Sequence, residues 1–511
     1  MCADPQCRSD VMSGTFDSAR ADLHTTTGPA ADDIRRLVRS GRTGGRSIPA
    51  IEPSRLLGST GRHAMTDLRP LDSGFIELED ADWHVSLGIG VVAIMDGSPP
   101  PREHVLDALD RQLREVPRLR QRVHRAPLDI TTPTWEPDPG FDLGHHIRWA
   151  ALPAPRDESA LWQLVALELE ERLDRDRPLW QCVVVEELCG NRWALIVKAH
   201  HSLLDGVSGV AMFERLCEPV PEGGTRAMRE TPHRHRAGLP LSGLLRLPVA
   251  VPSALFTTVR RLVPVGVAVV KPGPASSLNG PIGHQRRYTA IRVPLPTVAR
   301  IGAAFEVTVN DVVLSAIAGG YRDVLLARGE EPTADLLRIL VPVSMRSEHA
   351  KYVLDNRVSA LLPHLPIHVC DPAERLCLVH ATMLEHKSSG ASSAEHDVLA
   401  LARWLPFAPV AWTLRILGKL PQRSVGAVAT NVPGPRHPLT LLGRRVLELL
   451  PAVPIALRLR TAVAILSYED QLAIGITGDY DTTSDIDVLA LGIQRSIDQL
   501  ASRVGDDRSG D

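Results

Sequence analysis

No stretch of this 511-residue chain runs for about 20 apolar residues without interruption, so no segment reads as a membrane-spanning helix. None of its seven cysteines (Cys2, Cys7, Cys182, Cys189, Cys217, Cys370 and Cys377) forms a Cys-x-x-Cys pair. An odd, scattered set of this kind argues against a disulfide scaffold or a zinc knuckle and fits a reducing cytosol. Charge of one sign is also missing. The net charge of −3 provides no long-range attraction to nucleic acid or to anionic lipid. The first 30 residues are broken throughout by Asp, Ser, Thr and Arg, which excludes the apolar core of a secretory signal peptide. What is present is ordinary for a globular protein: 44% apolar and 23% charged residues, in a chain long enough for two to four domains. A cytoplasmic protein is expected.

Residues 1–64 carry little periodic hydrophobicity and read as a disordered or over-called N-terminal tail. From residue 65 strands and helices alternate, the rhythm of an α/β layer structure. A first lobe is expected over 65–218, with a buried strand at Val85–Met95, a helix at Arg102–Glu115, a helix at Trp162–Leu173 and a strand from Trp180. A Pro/Gly/Arg-rich linker with an apolar segment (244–270) spans 219–285. A second lobe follows over 286–511, with a helix at Asp311–Arg328 capped by Asn310, and a hairpin turning at Glu469-Asp470. The apolar segments 244–270 and 398–420 have aromatic or basic edges that suit either an interfacial helix at a lipid surface or a buried domain interface.

The densest chemistry lies at 193–209, WALIVKAHHSLLDGVSG. An apolar strand delivers His200 and His201 to its end, and Asp205-Gly206 breaks the chain toward a helix. Imidazole is the side chain best matched to taking a proton near neutral pH. Adjacent residues on an extended chain point opposite ways, so one histidine faces a reaction centre while the other braces the backbone. Asp205 is spaced to fold back and fix that geometry, or to pair with an arginine from elsewhere. His-x-x-x-Asp spacing also suits two metal ligands on a helix face, but no third His or Cys cluster accompanies it, and no metal is expected. The pattern points to a general base acting on a substrate's own hydroxyl or amine.

Six further blocks occur in order around this motif: Pro178-Leu179-Trp180, Leu278-Asn279-Gly280-Pro281-Ile282-Gly283, Asn310-Asp311-Val312-Val313-Leu314, Val341-Pro342-Val343-Ser344, Asn356-Arg357-Val358-Ser359 and Thr430-Asn431-Val432-Pro433-Gly434-Pro435. With His-His-x-x-x-Asp-Gly they make the chain, from about Leu68 onward, resemble the bacterial wax ester synthase/acyl-CoA:diacylglycerol acyltransferases. These are related in turn to chloramphenicol acetyltransferase and to peptide-synthetase condensation domains. The resemblance implies an α/β fold of two chloramphenicol-acetyltransferase-like lobes, each a mixed sheet with helices, with a tunnel between them. It implies that His201 is the base, with His200, Asp205 and Gly206 completing the motif and Asp205 structural.

In the related condensation domains an arginine pairs with that aspartate. Leu119-Arg120-Gln121-Arg122-Val123 looks similar here and nominates Arg120, with Arg122 as the alternative. Asn310 and Asp311 are candidates to bind substrate or its oxyanion at a helix start, or else simply to cap it. Trp180 is a candidate for the tunnel mouth, or equally a core residue. Two departures, Asp355 before Asn-Arg-Val-Ser and the basic stretch Arg458–Thr461, bear on the acceptor end.

The implied reaction moves a long-chain acyl group from acyl-CoA to diacylglycerol or a long-chain alcohol, with no cofactor beyond the co-substrate, no nucleic-acid partner and no acyl-enzyme. A peripheral position on a membrane or lipid droplet accords with such substrates. Other hydroxyl or amine acceptors, or a non-catalytic lipid-droplet-binding homologue, are the rival readings.

Overall fold

The computed structural model describes residues 66–129, 131–217, 274–344, 358–388, Arg415 and 424–506. The expected tail, most of the expected linker with its segment 244–270, Asn356-Arg357, and the segment 398–420 apart from Arg415 lie outside the described residues.

In chain order the first half contains β1 (Thr66–Asp67), α1 (Pro70–Ala81), β2 (Gly88–Asp96), α2 (Arg102–Arg114), β3 (Gln121–His124), β4 (Thr134–Pro137), β5 (Ile147–Ala151), α3 (Glu158–Glu170), β6 (Trp180–Leu188), β7 (Arg192–His200) and α4 (Gly206–Cys217). The second contains β8 (Arg286–Pro294), α5 (Leu295–Ala304), α6 (Val309–Ala327), β9 (Ile339–Ser344), β10 (Val358–Leu361), α7 (Pro372–Ser388), β11 (Ala427–Val432), β12 (Thr440–Leu441), β13 (Arg444–Ala452), β14 (Thr461–Tyr468), β15 (Gln471–Asp479) and α8 (Ile486–Asp506).

Local chemistry sets most of these boundaries. Pro70 occupies the first turn of α1, where its missing N–H costs nothing. Arg172 ends that helix from outside, donating to the carbonyl oxygens of Glu79, Asp82 and Val85. Helix α3 begins four residues before the expected Trp162, because the Asp157 side chain accepts the Ala160 N–H and starts the helix there. Helix α6 carries a reciprocal capping box. Thr308 accepts from the Asp311 N–H, and the Asp311 carboxylate accepts from the Thr308 N–H. Thr308, not Asn310, is therefore the N-cap, and Asn310 lies within the first helical turn.

Two six-stranded mixed sheets, ordered β12-β13-β2-β7-β6-β5 and β10-β9-β11-β14-β15-β8, form the body, with a small β1-β4-β3 sheet beside the first. Strand β7 is central, between β2 and β6, and most of it is buried on both faces, so it reads as a continuous apolar run. In the second sheet β11 runs parallel to both β9 and β14.

The first sheet draws strands from both halves of the sequence. Strand β13, deep in the second half of the sequence, pairs antiparallel with β2 and extends the first sheet. Pairing saturates a backbone edge that would otherwise be open. It also brings the two sheets into direct contact: a Cβ placed on Gly475 of β15 would fall 1.9 Å from the Pro451 carbonyl oxygen of β13. The Tyr288 hydroxyl of β8 donates to the same oxygen at 2.9 Å. A further apolar cluster joins Val85, Leu87 and Phe75 of the first half to Ile282, Ile455, Ala462 and Val428 of the second.

Candidate active site

His200 is the last residue of β7 and His201 the first beyond it. Their rings part as the alternation of an extended chain requires: His200 is 1% exposed, while His201 keeps partial exposure. The Nδ1 of His200 accepts the Ser202 backbone N–H at 3.1 Å and lies 2.7 Å from the Ser202 hydroxyl. An acceptor at Nδ1 leaves the ring proton on Nε2, which lies 3.5 Å from Glu79 Oε2. Ser202 is itself buried in this arrangement and serves the backbone turn.

Helix α1, unassigned in the sequence reading, grips both histidines. Phe75 and Glu79 are four residues apart, hence on one helix face. Phe75 stacks on the His201 ring with centroids 4.1 Å apart and planes 19° off parallel. Glu79 faces His200, accepts the Leu87 N–H at 2.9 Å through its other oxygen, and accepts Arg175 at 2.6 Å. The Leu87 carbonyl in turn accepts the His201 N–H at 2.9 Å. Burial works to raise the Glu79 carboxyl, but the facing His200 and Arg175 more than reverse this and hold its pKa down at about 2. Two residues back along the helix, Glu77 is bound by Arg125 at 2.7 Å and by Arg415. Burial pushes the His201 imidazole below its ordinary 6.5, with the charge of Asp205 acting in the opposite sense. His201 is therefore neutral at neutral pH, the form that accepts a proton.

Asp205 is 3% exposed and precedes α4, where its Oδ1 accepts the Ser208 N–H at 2.8 Å and the Ser208 hydroxyl at 2.6 Å. The carboxylate thus caps the helix that follows the histidines. The nominated arginines are directed elsewhere. Arg120 lies 3.7 Å from Asp110 and over the ring of Phe141, and Arg122 pairs with Glu136 at 2.9 Å. Arg120 is held by Asp110 of α2 and by the Phe141 ring after β4, and Arg122 by Glu136 of β4. Gly206 has a steric cause: a Cβ there would stand 2.7 Å from Cγ2 of Val432, at the end of β11. The motif's glycine is a point at which the second half touches the turn after the histidines.

Asn310 and Asp311 part company. Asn310, partly exposed, accepts at Oδ1 a hydrogen bond of 3.2 Å from Nδ2 of Asn431, the residue before Val432. Asp311 is 1% exposed and turned into the helix layer, where Oδ2 serves the capping box and meets His380 Nδ1 at 2.8 Å. Trp180 is a core residue: it is buried, its indole N–H donates to the Leu119 carbonyl at 2.8 Å, and its ring stacks on His146. A small cavity inside the second half, lined by residues such as Leu278, Tyr321, Arg328 and Thr461, touches neither histidine.

Sequence reasoning missed Phe75, Glu79 and the part played by Asn431. Each reaches its partner over more than 120 residues, and local spacing carries no trace of such pairings.

Comparison with known proteins identifies the family. Residues 68–313 match the wax ester synthase/diacylglycerol acyltransferase catalytic domain, and residues 354–501 match the C-terminal domain of the same family. The chain is 42% identical over 446 residues to a probable diacylglycerol O-acyltransferase, tgs1, of Mycobacterium tuberculosis, an alignment covering 86% of this chain and 96% of that one. The wax ester synthase/diacylglycerol acyltransferase of Marinobacter aquaeolei is similar in structure, with TM-score 0.61 and 26% identity over 86% of this chain and all of that one. The first condensation domain of the calcium-dependent antibiotic synthetase shares the fold at TM-score 0.56 and 16% identity, over 86% of this chain and 97% of that one.

Proposed function

This chain belongs to the wax ester synthase/diacylglycerol acyltransferase family, and from that membership we propose that it transfers a long-chain acyl group from acyl-CoA to the free hydroxyl of diacylglycerol, with long-chain alcohols as further acceptors. The observation that carries the reading is the partly exposed His201 imidazole at the end of β7, stacked on Phe75 of α1, with burial holding its pKa below the ordinary 6.5. As the acceptor oxygen attacks the thioester carbonyl, His201 removes its proton. A positioned base of this kind contributes roughly 10²–10⁴-fold. The C–O bond forms, the C–S bond breaks, and CoA leaves as the thiolate, to which the imidazolium returns the proton. No acyl-enzyme is needed, in keeping with the burial of Ser202.

The tetrahedral oxyanion requires donors. Asn310 at the start of α6 is the candidate, since its carboxamide is partly exposed and the helix dipole there favours negative charge. Asp311, committed to the cap and to His380, takes no part. Burial of an acyl chain contributes about 0.8 kcal/mol per methylene. The reaction uses no cofactor beyond its co-substrate. Such substrates place the enzyme in the cytoplasm against a membrane or lipid-droplet surface. Among the described residues no single helix is long and apolar enough to cross a membrane.

The test is turnover of palmitoyl-CoA by the purified protein, with dioleoylglycerol and hexadecanol as acceptors. Thiol release should depend on acceptor and fall by at least about 10²-fold in His201→Ala, with its circular dichroism unchanged. Undiminished ester formation by that variant would sink the assignment.

A further inference from the structure

We propose that Asn431 is a positioning residue for the acyl-transfer step, orienting the carboxamide of Asn310 toward the reacting carbonyl. This rests on the oxyanion role given to Asn310 above. The face alternation of β11 places Asn431 for the task. Ala427 and Ala429 are buried in the core of the second half beneath α6, and Asn431, two residues further along, shares their face and meets the first turn of that helix. Val428 and Val432 leave the opposite face, the first into the cluster containing Phe75 and the second against Gly206. One strand end therefore touches the catalytic turn with one residue and the Asn310 amide with its neighbour.

The direction of the hydrogen bond supplies the chemistry. Asn431 Nδ2 donates to Asn310 Oδ1. A carboxamide whose oxygen is so held cannot turn that oxygen toward a developing negative charge. Its two N–H donors occupy the other side, the orientation an oxyanion needs. Both side chains are partly exposed, so the pair is not sealed inside the core. Without Asn431 the amide of Asn310 loses the partner that fixes it, and its oxygen is free to turn to where a donor is required.

A double-mutant cycle tests this with the full-length enzyme and palmitoyl-CoA plus dioleoylglycerol. Asn310→Ala is expected to lower kcat by about 10²–10³-fold. Asn431→Ala and the near-isosteric Asn431→Asp, which puts an acceptor against the Asn310 oxygen, are each expected to lower kcat by about 10- to 100-fold with KM little changed. In the Asn310→Ala background the Asn431 substitutions should cost nothing further. Multiplicative losses in the double variant, or wild-type kcat in a folded Asn431→Asp, overturn the positioning role while leaving the oxyanion role intact. Wild-type turnover in Asn310→Ala overturns the oxyanion role and this proposal together.

Discussion

At the scale of single residues, two adjacent histidines divide one task because their environments differ. His200 is enclosed, its Nδ1 committed to Ser202 and its Nε2 turned to Glu79. His201 stacks on Phe75 and stays reachable. The motif shows in the sequence because its members are contiguous, whereas the division of labour does not, since the ring of Phe75 and the carboxylate of Glu79 arrive from helix α1, more than 120 residues away. A measurable consequence concerns pH. A general base works only when deprotonated, and burial pulls the His201 pKa below 6.5. The acidic limb of kcat/KM should therefore have its midpoint below pH 6.5, with full activity retained at neutrality. A limb centred above 6.5 that disappears in His201→Ala would contradict the burial of this ring.

At the scale of elements, α1 is the brace and α4 the continuation of the catalytic turn. The carboxyl of Glu79 titrates at about 2 against an ordinary 4.5. Because the shift is downward, its charged form stabilises the fold above pH 4.5, and that contribution is lost as the pH falls toward 2. Glu79→Gln should cost about 3 kcal/mol at neutral pH, as expected when one partner of a buried ion pair is removed. It should also flatten the acid unfolding curve between those two values. Denaturant titrations across that range measure both effects. The start of α6 teaches a second lesson. Asn310 has the composition of a cap, but Thr308 with Asp311 three residues on satisfies both orphan N–H groups and frees the asparagine side chain for Asn431.

At the scale of the whole molecule, β13 carries the second half of the sequence into the first sheet, and the catalytic turn is completed only where β11 meets α4. The halves should consequently unfold together. Gly475→Val places side-chain atoms where the Pro451 carbonyl stands, a clash of backbone rather than of a movable side chain. We expect this variant to lose both stability and acyl transfer. A lowered denaturation midpoint accompanied by falling turnover checks it, and wild-type values for both would show the halves to be independent.

The α/β class, most strands and helices, and the family were legible in the order of residues, because hydrophobic period, capping chemistry and the His-His-x-x-x-Asp-Gly run are local properties of a chain. Which residues surround the imidazole was not legible. Arg120 is the right type at a suggestive spacing, yet Asp110 and Phe141 hold it, while Phe75, Glu79 and Asn431 belong to the site without any local signature. Periodicity records what one segment buries. It carries no information about which distant segment supplies the partner, and that choice is made only when α1 packs against the end of β7 and β11 meets α4.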